Sequence, residues 1–325
     1  MRIVVVGGSG YVGSSLVPRL AERGYDIKVY DLQWFGNHLP NSIDVERRDV
    51  LDLQEAELKG VDTVIFVAGL SNDPMAEYSP SRNFIDNASC PAYLAYIAKR
   101  AGVRRFIHGG SCSVYGYTVN ELYDETSPIF CHYPYGISKL QGETGAMHFV
   151  DKNFSVIGLR KGTISGFSPR MRLDLVVNTM FKCAVQDGVI TVNNPSIWRP
   201  ILAMRDAVDG YVRAVEAAPD ISGIFNIASG NYTIGEVADY VAEGVKEYMG
   251  VTATIHVKHI PDLRNYKVSW EKARNVLAFH PRYDVKHIVK ELADNIDRFR
   301  DFDNSQYYNI ETFKNISPGQ QARPQ

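Results

Sequence analysis

The sequence predicts an α/β protein with a doubly wound parallel sheet and a smaller mixed α/β lobe in its second half. Two observations predict this fold class. Short apolar runs alternate with helical patterns through the first half of the chain, as in a parallel sheet covered by helices on both faces. A glycine-rich turn also stands between the first apolar run and the first helical segment, at residues 7–13.

The predicted strands are rich in valine, isoleucine and phenylalanine. In chain order they are IVVVGG, IKVYD, TVIFVAG, RFIHGG and FSVIGLR. Apolar residues at helical spacing predict the intervening and later helices. These helices cover residues 11–23, 83–101, 135–150, 174–187, 206–218 and 233–249. Crossovers of this kind are right-handed and produce a Rossmann-type sheet.

The pattern changes near residue 165, and we place a domain boundary there. Residues 1–165 are expected to form the Rossmann domain, with later returns near 197–228. Residues 166–325 are expected to form mainly the smaller lobe and a C-terminal tail. The tail from about residue 301 is polar and irregular, so we expect it to lie on the surface or to be partly mobile.

Composition and charge exclude several classes of protein. The chain has 325 residues, of which 45% are hydrophobic and 22% charged, which is enough for a full core. Its 35 basic and 37 acidic residues are intermingled and give a formal charge of −2, so neither nucleic acid nor an anionic membrane is favoured as a partner. Nowhere do 18 apolar residues follow one another, and no signal peptide is visible.

The cysteines indicate a reducing compartment. Cys90, Cys112, Cys131 and Cys183 lie far apart, with no C-x-x-C pair. A chain of this size with so few cysteines is not a disulfide scaffold. We therefore expect reduced thiols, no metal site and a cytoplasmic location.

The glycine turn predicts a dinucleotide site. Residues without a Cβ adopt positive φ and let backbone N–H groups approach a pyrophosphate at a helix N-terminus. The residues of this turn predicted to bind the cofactor are Gly7, Gly10, Tyr11, Val12 and Gly13.

Asp31 ends the next predicted strand, about twenty residues further on. Its carboxylate can accept hydrogen bonds from the adenosine ribose hydroxyls and repel a 2′-phosphate, so the predicted cofactor is NAD. The alternative is a solvated aspartate at a strand end.

Tyr135-Gly-Ile-Ser-Lys139 opens a predicted helix, so the phenol and the ammonium share one helix face. A tyrosine with a pKa of about 10 is a poor base at neutral pH, but a nearby ammonium and a positive nicotinamide ring both favour the phenolate. Tyr135 is therefore predicted to take a proton from a substrate hydroxyl while hydride leaves the same carbon for the cofactor. Ser111, at the end of a predicted strand, is expected to bridge the substrate oxygen and the phenol, unless it merely ends that strand.

The segments MRIVVVGGSGYVG, SCSVYG and YGISK, in this order, resemble the extended short-chain dehydrogenase/reductase superfamily. The resemblance is closer to its nucleotide-sugar epimerases and dehydratases, of the UDP-galactose 4-epimerase type, and covers nearly the whole chain. It implies a nucleotide-diphosphate sugar as substrate, held in the smaller lobe. It also implies further cofactor contacts by Asp49, Val50, Ala68, Gly69 and Asn87.

By the same resemblance, Arg199 in WRPILAMRDAVDGY grips the nucleotide diphosphate. Arg172 and Arg264 lie where related enzymes bring side chains to the nucleotide and phosphates, a task that suits guanidinium groups. Either could instead be a surface arginine paired with an acid. The remaining residues expected to bind substrate are Ser111, Ser113, Thr163 and Asn178.

The residues after Ser111 bear on the reaction. The 4,6-dehydratases of this family have an Asp-Glu pair there, whereas this chain has Cys112 and Ser113. We therefore expect oxidation at one sugar carbon, with C4 favoured, and the sequence does not separate transient oxidation in an epimerase from net oxidation in a dehydrogenase. A 4,6-dehydratase or a keto-sugar reductase is the alternative.

A non-catalytic dinucleotide-binding sensor or scaffold is the alternative from another class. The joint presence of Ser111, Tyr135 and Lys139 argues against it, because a sensor needs none of them. The helices predicted over 83–101 and 135–150 resemble those that pair across a two-fold axis in this family, so we expect a homodimer. Their outward residues, including Tyr93, Tyr96 and Phe149, could equally be core.

Overall fold

A computed structural model describes residues 1–258 and 264–316, apart from the side chains of residues 119 and 120. The strands are β1 (Arg2–Val6), β2 (Asp26–Asp31), β3 (Asp44–Arg47), β4 (Thr63–Phe66), β5 (Arg105–Ser111), β6 (Tyr117–Tyr123), β7 (Ser155–Lys161), β8 (Thr163–Ser165), β9 (Val189–Asn193), β10 (Trp198–Ala203), β11 (Gly223–Ile227), β12 (Gly230–Thr233), β13 (Thr254–Lys258) and β14 (Asn265–Val268). The helices are α1 (Gly13–Glu22), α2 (Asp73–Tyr78), α3 (Pro80–Phe84), α4 (Cys90–Arg100), α5 (Pro134–Met147), α6 (Val176–Asp187), α7 (Met204–Glu216), α8 (Ile234–Met249), α9 (Glu271–Leu277), α10 (Val285–Asp294) and α11 (Asn309–Ile316).

The main sheet has seven strands in the order β11-β7-β5-β4-β1-β2-β3. Every neighbouring pair in it is parallel. The chain runs outward from β1 in both directions, so the order reverses between β1 and β4. The predicted doubly wound fold is confirmed, and ligands of such sheets bind at this reversal, outside the carboxyl ends of the strands.

The smaller lobe is mixed, as predicted. Its central strand, β10, pairs antiparallel with β12 and parallel with β8. A second apolar core forms beneath it from α6, α8 and α10, and includes Phe181, Val241 and Leu292. The chain returns to the main sheet late, because α7 packs against α1 and β11 adds the last parallel strand.

The helix predicted over 83–101 contains an irregular turn. It is observed as α3, a π-helical turn over Ile85–Ser89, and α4. Pro91 has no N–H to donate to the carbonyl of Asn87, which breaks the regular pattern of hydrogen bonds. Helix α5 approaches the same carbonyl so closely that a Cβ on Gly142 would collide with it.

The C-terminal tail is not irregular throughout, contrary to expectation. Residues 309–316 form α11, and Phe313 is buried between the rings of Trp34 and Tyr78, with centroids 5.4 and 5.9 Å away. The last predicted tail residues, 317–325, lie outside the described residues. Within the described ranges, no helix is both long and apolar enough to cross a membrane.

Candidate active site

A cavity of about 740 Å³ opens at the carboxyl edge of the main sheet and extends into the smaller lobe. One end is lined by the glycine turn and by residues that follow β2, β3 and β4. The other end is lined by residues of α6, β9 and β10. The ends of β5 and β7 and the start of α5 lie between them, so one cavity joins the predicted cofactor and substrate regions.

The glycine turn lies close to the segment that follows β4. Gly7 has a φ of +87°, and a Cβ there would lie 2.5 Å from the backbone nitrogen of Ala68. Tyr11 and Val12 line the cavity beside it. Gly13 does not line the cavity, because its Cα packs against the backbone of Gly8, where a Cβ would collide. Its observed role is therefore to fit α1 onto the turn.

Asp31 faces this end of the cavity. Its Oδ2 accepts a hydrogen bond from the backbone of Ser9 at 3.0 Å, and its Oδ1 accepts one from Gln33 at 2.6 Å. Burial raises the pKa of Asp31 above its usual value. Asp49 and Val50, for which the resemblance implies cofactor contacts, line the same end.

Asn87 supports this site from behind. Its side chain is fully buried and does not line the cavity. Its Nδ2 donates to the carbonyl of Leu70 at 2.9 Å and to Asn83 at 2.8 Å. Gly69, with a φ of +114°, leaves no room for a Cβ against the Asn87 oxygen. Asn87 thus holds the segment carrying Ala68 and Gly69, both of which do line the cavity.

Two arginines lie at the edge of the cavity: Arg172, which was expected to contact the substrate, and Arg170, which was not singled out from the sequence. Arg172 is only 6% exposed and forms a bidentate ion pair with Asp174, with distances of 2.8 and 3.0 Å. Arg170, two residues earlier, is also buried and lines the cavity, but its Nε has no hydrogen-bond partner within the described part of the chain. Its guanidinium carbon lies 3.6 Å from the ring centroid of Phe35.

Arg170 is therefore a buried cation with one unpaired N–H and no ion-pair partner among the described residues. Burial lowers its pKa to about 9. Its backbone N–H donates to Ser14 in the first turn of α1 at 3.2 Å, and its Nη2 donates to Asn309 on α11. The unpaired Nε, the Gly7 turn and the Asp31 carboxylate together fit the diphosphate and ribose of a dinucleotide.

Ser111, Tyr135 and Lys139 come together between the two ends of the cavity. Ser111 ends β5, and its Oγ accepts a hydrogen bond from the Ser113 hydroxyl at 2.8 Å. Tyr135 lies in the first turn of α5 and is hydrogen-bonded to Ser111. The Lys139 ammonium lies 5.8 Å from the centroid of the Tyr135 ring.

Burial dominates the electrostatics of this group. It raises the pKa of Tyr135 to about 12, and the negative charge of Asp73 acts in the same direction. The hydrogen bond from Ser111 and the charge of Arg172 act in the opposite direction. Burial also lowers the pKa of Lys139 to about 8, against the charge of Asp86. A neutral phenol and a charged lysine are thus the resting forms near neutrality.

Neither residue after Ser111 supplies an acid or a base. Cys112 is fully buried, its Sγ contacts the carbonyl of Arg160 at 3.2 Å, and burial raises its pKa far above the usual range. Ser113 lines the cavity, and its hydroxyl donates to Ser111. The position of the dehydratase carboxylates is therefore occupied by a packed thiol and a serine.

The substrate end of the cavity contains Arg199, Arg264 and Thr163. Arg199 extends from β10, and its Nη1 donates to the backbone carbonyls of Trp198 and Arg264. Arg264 forms an ion pair with Asp73 at 2.7 Å. Both predicted contacts are thus at the cavity, although Arg264 is paired with an acid.

Asn178 is not brought to the cavity. Its side chain is fully buried on α6, where its Oδ1 accepts from the backbone of Gly166 at 2.9 Å and its Nδ2 donates to the carbonyl of Arg172 at 2.8 Å. Its observed contacts hold the loop that carries both arginines, which corrects its assignment as a direct substrate ligand.

Several lining residues were missed from the sequence. They come from the smaller lobe, where polar and apolar lining residues follow no recognisable motif. They are Leu175, Val176, Thr179, Met180, Thr191, Asn193, Ile197 and Ile234. Lys161, at the end of β7, was also missed; a charged residue ending a buried strand is the signal that could have revealed it.

The fold and this constellation define a dinucleotide-dependent enzyme of the extended short-chain dehydrogenase type. The model of the NAD dependent epimerase/dehydratase family matches residues 3–228, and the chain belongs to that family. UDP-glucuronic acid decarboxylase 5 of Arabidopsis thaliana is 27% identical over 301 residues, covering 88% of this chain and 86% of that protein. UDP-glucose 4-epimerase of Lacticaseibacillus casei is 24% identical over 324 residues, covering 91% of this chain and 96% of that protein.

Solved structures agree on the fold. UDP-glucuronic acid 4-epimerase from Bacillus cereus, in complex with UDP-glucuronic acid and NAD, has a TM-score of 0.79 and 23% identity. The match covers 92% of this chain and 99% of that one.

Proposed function

We propose that this enzyme oxidises C4 of the sugar in a nucleotide-diphosphate sugar, with Tyr135 as the base. The observation that carries the proposal is the meeting of Ser111, Tyr135 and Lys139 inside the cavity that also contains the glycine turn. The phenol and the serine hydroxyl are hydrogen-bonded to each other and both face the cavity, so one substrate oxygen can contact both.

Each of the three residues has a distinct task. Ser111 orients the substrate hydroxyl, and Tyr135 takes its proton as the C4–H bond breaks. NAD, when bound, accepts the hydride from C4. Lys139 keeps its positive charge below a pKa of about 8, and an ammonium 5.8 Å from the ring of Tyr135 would favour the phenolate. The charge of Arg172 acts in the same direction. Because burial raises the pKa of Tyr135 to about 12, these positive charges are needed for proton transfer near neutral pH.

The substrate end suits a nucleotide diphosphate. Arg199 and Arg264 provide guanidinium groups for the phosphates. Beyond them, Thr191 and Asn193 on β9 and Met180 on α6 provide polar and apolar contacts of the kind a base needs. Since the relatives described above act on UDP-sugars, uracil is the base we propose.

Transient oxidation is favoured over net oxidation by the position of α11. Its Asn309 donates to Ser71 at 2.6 Å and accepts from Arg170, and both of these residues line the cofactor end. Phe313 anchors the helix between Trp34 and Tyr78. A cofactor beneath these contacts exchanges slowly, so the hydride returns to the same sugar before release, as in an epimerase.

Decarboxylation is the second candidate, because relatives with that activity match most of the chain. A ketone at C4 of a glucuronic acid makes the C6 carboxylate a β-keto acid, which loses CO₂ readily. Both reactions therefore share the same oxidation step. The identity of the product formed from UDP-glucose and from UDP-glucuronic acid distinguishes them, and a dehydrated product would indicate a dehydratase.

The division of labour between the two parts and the assembly of the protein are also proposed here. Residues 1–165, with returns near 197–228, would hold NAD, and the remainder would hold the nucleotide-sugar.

A homodimer through α4 and α5 is supported by Tyr96, which is 44% exposed and contacts Phe149. Tyr93 donates to the carbonyl of Leu53 and belongs to the domain itself. A monomer mass measured by light scattering would overturn the proposed dimer. The location we propose is the cytoplasm, and the four free thiols agree with it.

Tyr135→Phe tests the function directly. Loss of the phenol oxygen should reduce hydride transfer by about 10²–10⁴-fold, while NAD affinity survives because the ring remains. Reduced-nicotinamide absorbance in a single turnover measures the step. Tyr240→Phe, in α8 of the smaller lobe, is the matched control and should transfer hydride at the wild-type rate. A wild-type rate in Tyr135→Phe would refute the proposed role.

A further inference from the structure

Lys161 is a basic residue that lines the cavity and that the proposed mechanism does not use. It ends β7 and is paired in the sheet with Ser111, which ends β5. Both residues line the cavity together with Tyr135 and Lys139. A second amine therefore lies at the reacting end of the site, one strand away from the serine.

The fold provides a specific place for this amine. Its Nζ lies 3.0 Å from the phenol oxygen of Tyr211, which extends from α7. A Cβ on Gly109 in β5 would lie 2.8 Å from that oxygen and 2.9 Å from the Lys161 nitrogen. Only glycine at this position leaves room for the pair, so three elements fix the amine.

No carboxylate neutralises this amine within residues 1–258 and 264–316. The titratable groups that face it are Lys139 from α5, Cys112 after β5, His108 in β5 and Tyr211 from α7. Burial and the positive charge of Lys139 lower the pKa of Lys161 to about 7. Its charge is thus present below neutrality and lost above it.

The proposed reaction would bring the nicotinamide ring close to this amine. Hydride transfer requires reacting atoms about 3–3.5 Å apart, so the ring must lie beside the sugar carbon held at Ser111 and Tyr135. The oxidised ring is positively charged and the reduced ring is neutral. An ammonium in the same enclosed site repels the first and not the second.

We propose that Lys161 is a positioning residue that shifts the bound cofactor toward its reduced form. A shift in that direction favours removal of hydride from the sugar and prolongs the life of the keto-sugar in the site. The inference rests on the proposed function, because that function places the nicotinamide beside Ser111 and Tyr135.

The test compares the affinities of wild type, Lys161→Met and Tyr211→Phe for NAD⁺ and NADH, measured by calorimetry and by NADH fluorescence. Below the pKa of Lys161, the ratio of Kd for NAD⁺ to Kd for NADH should be about 10-fold higher in wild type than in Lys161→Met. Above that pKa the two ratios should converge. Because Lys139 titrates nearby, the proteins are compared with each other at each pH.

Tyr211→Phe is the matched control, since it removes the hydrogen bond but keeps the ammonium. Its ratio should stay close to that of wild type at low pH. Equal ratios in wild type and Lys161→Met at low pH, with both cofactor forms bound, would overturn this inference alone. If neither cofactor form binds to wild type, the proposed function falls and this inference falls with it.

Discussion

The two ends of the cavity are built in different ways. At the cofactor end, the cavity is lined by the backbone around Gly7, by Asp31 and by Arg170, whose buried Nε has no hydrogen-bond partner within the described residues. At the substrate end, Arg264 already pairs with Asp73, and Arg199 already donates to backbone carbonyls. At the cofactor end Arg170 keeps one unpaired N–H, whereas a diphosphate at the substrate end has to compete with the internal partners of both arginines.

This difference agrees with the proposed division of labour. A cofactor that stays through many turnovers benefits from a site that needs no rearrangement. A substrate that must leave after every turnover benefits from arginines that return to their internal partners. The variants below separate the two ends by their effects on rate and on the affinity for each ligand.

Of the variants that compare the two ends, Lys139→Met should have the largest effect, because Lys139 lies where the two ends meet. We expect hydride transfer to fall by about 10²-fold at neutral pH, since the ammonium that favours the phenolate is lost. The charge of Lys139 is present below its pKa of about 8 and lost above it. The wild-type rate should therefore lose this support as pH rises through that value, and the variant should not. A pH profile of single-turnover rates for wild type and variant measures both the rate loss and its pH dependence. If the two profiles had the same alkaline limb, Lys139 would not support the phenolate.

Arg170→Met and Arg199→Ala should separate the two ends. A charged hydrogen bond is worth about 1.5–3 kcal/mol, so each change should weaken one ligand by roughly 10–150-fold. Arg170→Met should weaken NAD and spare the nucleotide-sugar, and Arg199→Ala should do the reverse. Calorimetry with each ligand measures the four affinities. Equal losses of both ligands in either variant would mean that the arginine supports the fold instead.

Asp31→Ala should narrow the preference for NAD over NADP. The carboxylate that accepts from ribose hydroxyls and repels a 2′-phosphate disappears, and the ratio of the two affinities should fall by about 10-fold. Asp31→Asn removes the charge but keeps an acceptor for Ser9, so it controls for loosening of the turn. An unchanged ratio in both variants would assign cofactor selection to another residue.

Asp73→Asn should have the smallest effect of these changes, and it should strengthen nucleotide-sugar binding where the others weaken a function. It removes the charge that pairs with Arg264 at 2.7 Å and lies near the proposed diphosphate site. Nucleotide-sugar affinity should therefore rise by about 2–5-fold, as expected for a partly exposed ion pair. Tighter binding by calorimetry would sharpen the contrast between the two ends, and weaker binding would show that Asp73 itself contacts the substrate.

The features that could be predicted from the sequence are those that depend on local patterns. The Gly7 turn, Ser111 at a strand end and the Tyr135–Lys139 spacing each depend on a single strand or helix, and parallel strands bring their carboxyl ends together. The choice between Arg170 and Arg172 depends on Asn309 and Asp174, and nothing local distinguishes two arginines in one loop.

Whether a residue faces the cavity or the interior could not be predicted from the sequence either. Gly13, Asn87 and Asn178 lie in the right segments but face away from the cavity, toward backbone groups that only the folded chain supplies. Helix α11 has a weak apolar pattern, and the burial of Phe313 depends on partners that are more than half the chain away in sequence.

The central claim is that hydride leaves C4 of the sugar and returns to it without release of the cofactor. A nucleotide-sugar carrying deuterium at C4 tests this most directly, using wild-type enzyme and mass spectrometry of both cofactor and product. The account predicts a slower turnover with the label, deuterium on the enzyme-bound nicotinamide during a single turnover, and deuterium at C4 of the final product. Product formation with no isotope effect and no label on the nicotinamide would contradict it.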